Sequence, residues 1–169
     1  MSKTDDLNRE AHRPLSAPIR FLQITPFYPA YLTDFYAARP GLAQASYAAQ
    51  IDALLDDGFS SSHIFTRALR NHGFDTLHVV PNNRNTQAAW LRENGHPAEH
   101  VDGARVTQMQ IDAFGPDIAY TTDIAMFQAN FFAPLKTRPC VIAGWRGFPL
   151  PPGLDLSACD LVLSSFDRI

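Results

Sequence analysis

Five short apolar runs, each followed directly by small polar or aromatic residues, constrain the fold of this chain more than any other feature. The runs occupy residues 19–24, 76–80, 117–120, 140–144 and 160–163. Stretches whose apolar residues keep helical spacing separate most of these runs, as helices separate the buried strands of a parallel sheet. The pattern predicts an α/β fold in which ligands bind beyond the carboxyl ends of the strands.

The same pattern predicts how the elements connect. Parallel strands joined by right-handed crossovers form a doubly wound, Rossmann-like sheet with helices on both faces. We expect about five strands in the order 3-2-1-4-5, which is common for one half of such a sheet. The apolar spacing predicts helices over residues 42–55, 63–72, 86–93, 105–114 and 124–132.

Composition favours a single domain. The 169 residues include 46% apolar and 18% charged residues, an ordinary balance for a globular core. Residues 1–18 carry charges and two prolines without a periodic apolar face, which predicts a mobile tail before a domain of residues 19–169. Only residues 166–169 follow the last strand and its two serines, too few for a helix. We therefore expect a chain truncated before a further domain, or a partner that covers this face of the sheet.

Charge and hydropathy exclude two classes of partner. The formal net charge of -3 provides no basic surface able to neutralise several phosphates of a nucleic acid. No apolar stretch approaches the roughly 20 residues that cross a bilayer, and the N-terminus is too polar for a signal peptide. The sequence predicts a cytoplasmic protein with no nucleic-acid partner and no transmembrane segment.

Two motifs of cofactor binding are absent from the first loop, residues 25–31. It contains neither the G-x-G-x-x-G of a dinucleotide site nor the glycines and lysine of a P-loop. Residues 96–100 hold two histidines and a glutamate, but Pro97 breaks the helical geometry that would aim both imidazoles at one metal ion. We expect no cofactor and no metal site.

The first loop carries aromatic residues in place of glycines. Tyr28 and Tyr31 are rigid, amphipathic side chains that can stack on a sugar or another flat ligand, and Thr25 can donate a hydrogen bond beside them. The alternative is that these rings only pack a long loop.

Two residues are candidates for acid–base chemistry. His63 lies in the first turn of the clearest predicted helix, and a neutral imidazole there can accept the proton of a hydroxyl nucleophile. Asp123 follows Thr122 beyond the third strand, where a carboxylate can bind a sugar hydroxyl or act as base. Each has a structural alternative, since histidines often cap or hydrogen-bond and an aspartate is an ordinary helix N-cap.

Further polar residues follow the other strands and would complete a binding site. Trp145 and Arg146 end the fourth strand, where an aromatic ring and a fixed cation can hold a polar ligand or a phosphate, or contact another domain. The remaining candidates are hydrogen-bonding residues that can equally be turn residues. They are Asn82, Asn83, Ser164 and Ser165.

Several segments, taken in order, resemble the N-terminal domain of GT-B glycosyltransferases, particularly bacterial proteins similar to spore-maturation-type glycosyltransferases. The segments are residues 59–63 (FSSSH), Asn82-Asn83 followed by residues 87–90 (QAAW), residues 116–120 (PDIAY) and residues 160–165 (DLVLSS). The likeness extends over residues 19–169. It departs from many relatives at the first loop, where Thr25 to Tyr28 replace a glycine-rich sequence.

The resemblance implies a function. Enzymes of this family have two Rossmann-like domains; the N-terminal one holds mainly the acceptor, and the C-terminal one holds the nucleotide sugar. The chain would bind a sugar or glycan acceptor and meet the nucleotide sugar through a missing C-terminal domain, with His63 or Asp123 as base if the reaction inverts configuration. Alone, the chain would be inactive. The alternative is a non-catalytic, flavodoxin-like binding or regulatory module that uses the same cleft.

Overall fold

The structure, a computed structural model, describes residues 17–60, 62–98, 100–149 and 151–165, without the side chains of Ser62 and His63. Within these ranges the chain forms five strands and six α-helices. The strands are β1 (Arg20–Ile24), β2 (Asp75–Val79), β3 (Ile118–Thr121), β4 (Val141–Arg146) and β5 (Leu161–Ser164). The helices are α1 (Pro29–Ala37), α2 (Tyr47–Asp57), α3 (Ser62–Asn71), α4 (Arg84–Glu93), α5 (Gly103–Phe114) and α6 (Ala129–Phe132).

The strands form one parallel sheet in the order β2-β1-β3-β4-β5. This confirms the predicted Rossmann-like α/β fold with five parallel strands. The order differs from the expected 3-2-1-4-5, because β3 pairs with β1 instead of lying beyond β2. Strand β2 lies at the edge of the sheet; its first residue, Asp75, is exposed, whereas His78 and Val79 at its other end are buried. In contrast, β1 is buried over four of its five residues and has a neighbour on each side.

Helices pack on both faces of the sheet, as predicted. On one face, which we call the covered face, Leu22, Ala119 and Ile142 are buried in a core with Ile111 of α5 and Phe131 of α6. On the other face, which we call the open face, α3 contacts β1 and β2. Side chains alternate between the two faces along each strand.

The open face is incompletely covered over β4 and β5. Four of its side chains, Val141, Trp145, Leu161 and Leu163, are between 37% and 49% exposed. Strand β5 is therefore not the fully buried strand that its apolar sequence predicts. The reason is its place at the sheet edge, paired only with β4 and beyond the part of the sheet that α3 contacts.

Two local predictions need correction. Helix α1 begins within the predicted first loop, at Pro29. A proline at the first helical position has its φ already set for a helix, but it gives no apolar stripe by which the sequence analysis could have found the helix. The helix predicted over residues 124–132 is reduced to α6, because a turn stabilised by the Asp123 side chain occupies its first part. The other four predicted helices are present with shifted ends.

The predicted tail of residues 1–18 lies outside the described residues as far as residue 16. No helix in the part of the chain that the structure describes is long and apolar enough to span a bilayer.

Candidate functional site

A cavity of about 710 Å³ opens beyond the carboxyl ends of the strands. Thr25, which follows β1, and Thr122, which follows β3, both contribute to its wall. These two strands are neighbours, but the chain leaves β1 towards β2 on one side and β3 towards β4 on the other. Ligands of open α/β sheets bind at such a switch point. The cavity also has the size of an ordinary small-molecule site, roughly 300–1,000 Å³.

One carboxylate and one guanidinium lie together in the cavity wall. The Nη1 atom of Arg146 is 3.8 Å from Oδ1 of Asp123. The guanidinium is held in place because its Nε and Nη2 atoms donate to the carbonyl oxygens of Phe148 and Pro149, at 2.9 and 3.0 Å. The side chain of Arg146 is mostly buried, so this cation is fixed at the cavity instead of ranging through solvent.

Asp123 stabilises a turn and also lines the cavity. Its Oδ1 atom accepts a hydrogen bond from the backbone N–H of Ala125 at 3.1 Å, so the carboxylate does stabilise the turn before α6. The same side chain lines the cavity and faces Arg146. A hydroxyl group bound here can donate to the carboxylate and accept from the guanidinium.

Aromatic side chains form most of the remaining wall. Tyr28 and Phe148 are each 73% exposed and Trp145 is 38% exposed, so the wall presents large aromatic side chains to solvent. Burial raises the pKa of the Tyr120 hydroxyl, so this group stays a neutral hydrogen-bonding partner. The aromatic residues of the wall are Phe27, Tyr28, Phe59, Phe65, Tyr120, Trp145 and Phe148.

The structure brings seven of the predicted site residues into this cavity. They are Thr25, Tyr28, Asn82, Thr122, Asp123, Trp145 and Arg146. Asn82 also shapes it, since its Oδ1 accepts from the backbone N–H of Phe27 at 3.0 Å and its Nδ2 donates to the carbonyl of Phe27 at 2.5 Å. These two bonds tie the loop after β2 to the loop after β1.

Two predicted residues make packing or capping contacts within the protein and lie outside this wall. The Tyr31 ring stacks on Phe59 with centroids 3.8 Å apart, and its hydroxyl donates to Asp57 at 2.8 Å. Burial, together with the Asp57 carboxylate, raises the pKa of Tyr31. Asn83 caps α4 by accepting from the backbone N–H groups of Asn85 and Thr86. Both agree with the alternatives of loop packing and turn formation, and neither contributes to the wall of the 710 Å³ cavity.

The last three predicted residues are not part of the cavity wall as the structure describes it. Ser164 ends β5 half-buried, in register with Arg146, and Ser165 is exposed after it. The side chain of His63 lies outside the described residues, although its backbone belongs to the first turn of α3.

Several wall residues escaped the sequence analysis. Phe65 and Leu163 fall in a helix stripe and a strand that both suggested a buried core, Met126 falls in the helix predicted over residues 124–132, and Phe148 lies in a connection without a motif. Strand pairing shows why Leu163 reaches the cavity: it is in register with Trp145 and lies on the same face of the sheet.

A buried polar network lies beneath the cavity. The Thr66 hydroxyl of α3 donates to Oε1 of Gln23 at 2.9 Å and lies 3.2 Å from Nδ1 of His78, while Nε2 of Gln23 donates to the Thr25 hydroxyl at 3.2 Å. Burial lowers the pKa of His78 to about 3. The network joins α3 to β1 and β2 and ends at Thr25 in the cavity wall.

No group of three or more His, Cys, Asp or Glu side chains that could hold a metal ion occurs among the described residues. No protein-family model, no curated protein and no solved structure matches the chain. The chemistry of the cavity is therefore the structural basis for a proposal of function.

Proposed function

We propose that this chain is the acceptor-side domain of a GT-B-like glycosyltransferase and that the acceptor binds in the 710 Å³ cavity. The observation that carries this proposal is the Asp123–Arg146 pair, held inside an aromatic wall at the switch point of the sheet. Such a pair can orient one hydroxyl group, and the rings can hold the body that carries it.

In the proposed reaction the acceptor hydroxyl attacks the anomeric carbon of a nucleotide sugar. A bond forms between the hydroxyl oxygen and that carbon while the bond from the carbon to the diphosphate breaks, and the diphosphate leaves with the electron pair. In an inverting reaction the hydroxyl proton passes to a base, for which Asp123 is well placed and His63 is the second candidate. Arg146 would hold the hydroxyl oxygen during the attack.

The nucleotide sugar would be bound by a separate donor domain. The described residues of the first loop offer no glycine-rich cradle for a diphosphate, and the proposal therefore expects the 169-residue chain alone to transfer no sugar. A cytoplasmic location is part of the same proposal.

A non-catalytic binding or regulatory module is the second candidate. The strand order β2-β1-β3-β4-β5 favours it, because this is the order of flavodoxin-like folds, which bind ligands at the same switch point without a second domain. The cavity would then bind its ligand without chemistry.

The two candidates differ in donor binding. Calorimetric titration with a panel of nucleoside diphosphate sugars should show binding to the chain extended by the coding sequence downstream of Ile169, and none to the 169-residue chain. No binding to the extended chain, or no second domain encoded there, would contradict the glycosyltransferase and leave the module.

Asp123→Asn in the extended chain tests the proposed base. We expect sugar transfer to fall by about 100-fold or more, as for loss of a general base, with donor affinity unchanged. Asp34→Asn is the matched control, because Asp34 is exposed on α1 and away from the cavity wall. Equal effects of both substitutions would remove Asp123 from the mechanism.

A further inference from the structure

We propose that the acceptor is an amphiphile, a hydroxyl group on an aromatic or similarly flat apolar body, and not a free saccharide. This inference rests on the proposed function and specifies the class of acceptor. The polar groups and the apolar surface of the cavity are distributed in a way that suits one hydroxyl at one place.

Fewer polar than apolar side chains line the cavity, and two of the polar ones are already engaged within the protein. The Asn82 amide is engaged at both ends by the Phe27 backbone, and the Thr25 hydroxyl accepts from Gln23. A free saccharide presents hydroxyl groups around its whole ring, and each one buried without a partner costs free energy. Asp123 and Arg146 are the two charged side chains of the wall and lie together, which suits one or two hydroxyls; the other polar groups of the wall are single hydroxyls, those of Tyr28, Ser60, Tyr120 and Thr122.

The apolar surface is extensive and already exposed. Besides its seven aromatic rings, the wall includes Met126, which is 54% exposed, and Leu163, which is 39% exposed. Covering such surface with an apolar ligand is favourable in proportion to the apolar area removed from water. A saccharide can stack one ring face on an aromatic side chain but, with hydroxyls on most carbons, would recover less of this free energy.

The cavity continues onto the open face of the sheet. Trp145 and Leu163 belong both to its wall and to that face, and the ring of Phe65 lies 5.3 Å from the ring of Tyr120 at the junction. A flat body whose hydroxyl lies at Asp123 can therefore extend over the apolar surface of Trp145 and Leu163 on the open face.

The test uses tryptophan fluorescence and amide chemical shifts. The chain has two tryptophans, and Trp90→Phe leaves Trp145 as the single emitter, inside the cavity. The probes are 2-naphthol, a flat body with one hydroxyl; 2-methoxynaphthalene, which cannot donate that hydrogen bond; and methyl β-glucoside, a free saccharide. We expect 2-naphthol to bind at least about tenfold more tightly than methyl β-glucoside, because its flat apolar ring covers the exposed apolar surface of the wall. A tenfold difference corresponds to about 1.4 kcal/mol. It should also bind more tightly than 2-methoxynaphthalene.

Two leucines of β5 provide a matched pair of variants. Leu163→Ala removes a wall residue and should weaken 2-naphthol about fivefold or more, whereas Leu161→Ala, on the same face but outside the wall, should have no effect. Both leucines are part-exposed, so both variants should fold, which a thermal melt checks. Amide shifts in uniformly labelled protein should cluster at residues 145–148.

Each outcome decides the inference. Tighter 2-naphthol binding that depends on Leu163 supports it. Methyl β-glucoside binding in the cavity as tightly as 2-naphthol overturns it and leaves the proposed function intact. An equal loss of 2-naphthol affinity in both leucine variants overturns the inference, because it would mean that 2-naphthol binds non-specifically to the open face. Absence of all binding also overturns it, and donor binding by the extended chain then decides the proposed function separately.

Discussion

The two faces of the sheet are built differently. On the covered face, Leu22, Ile24 and Ile142 are fully buried in a continuous apolar core below α5 and α6. On the open face, α3 lies over a polar network around Gln23 and His78, and β4 and β5 leave apolar side chains in contact with solvent. The cavity opens at the carboxyl edge of this open face.

This difference separates stability from binding. A residue buried in the apolar core contributes the free energy of its transfer from water and the close packing around it. A half-exposed residue beside a cavity contributes little to folding and remains available for a ligand. We therefore expect substitutions on the covered face to change the free energy of unfolding, and those at the cavity to change affinity.

The largest expected effect comes from truncating the covered face. Ile142→Ala should lower the free energy of unfolding by about 2–5 kcal/mol, since it removes a fully buried side chain and leaves a cavity. Leu161→Ala, on the neighbouring strand but 49% exposed on the open face, should cost less than about 1 kcal/mol. Urea unfolding of both variants measures the difference. Equal costs would mean that the open face is covered in solution and would break the comparison.

A smaller effect is expected from overpacking at Gly144, which lies in β4 together with Ile142. A methyl group added at Gly144 would lie 2.9 Å from Cβ of Ile124 and closer still to its Cγ1 and Cδ1 atoms. Because Ile124 is fully buried, Gly144→Ala should cost about 1–3 kcal/mol. Gly147→Ala is the control, as its new methyl would approach the Trp145 ring only to 3.4 Å. Thermal melts of the two variants should differ by several degrees; coincident melts would contradict the close contact.

The smallest effect concerns pH and the polar network of the open face. His78 has its pKa lowered to about 3 by burial, so below about pH 6.5 the unfolded chain binds a proton that the folded chain excludes. Stability should be full above that pH and fall by up to about 1.4 kcal/mol per pH unit as the solution is acidified. Denaturant midpoints at pH 7.5, 6.5 and 5.5 measure this slope.

His78→Gln supplies the reference for that slope. Glutamine keeps a hydrogen-bonding side chain next to Thr66 but does not titrate, so the variant should lose stability less steeply with acid. The other histidines are the same in both proteins. Parallel pH dependence of the two proteins would place the titration elsewhere.

The sequence predicted most of the elements and the edge of the sheet where the cavity lies. Apolar runs such as residues 19–24 must be buried, and the polar residues after them must then meet at one edge; Thr25, Thr122, Asp123 and Arg146 do so. Helix α1 was missed because Pro29 and its aromatic neighbours give no clear apolar stripe. The part played by Leu163 was missed because its exposure depends on which strand lies beside β5.

By itself, the sequence determined the α/β class, the parallel sheet and the edge of it where the cavity lies, because these follow from local apolar periodicity and from the right-handedness of crossovers. Only the tertiary structure decided that β3 lies next to β1, that Asp123 lies near Arg146 and that Trp145 and Leu163 form one wall. Strand order and register depend on contacts between residues far apart in the chain, and no local pattern specifies those contacts.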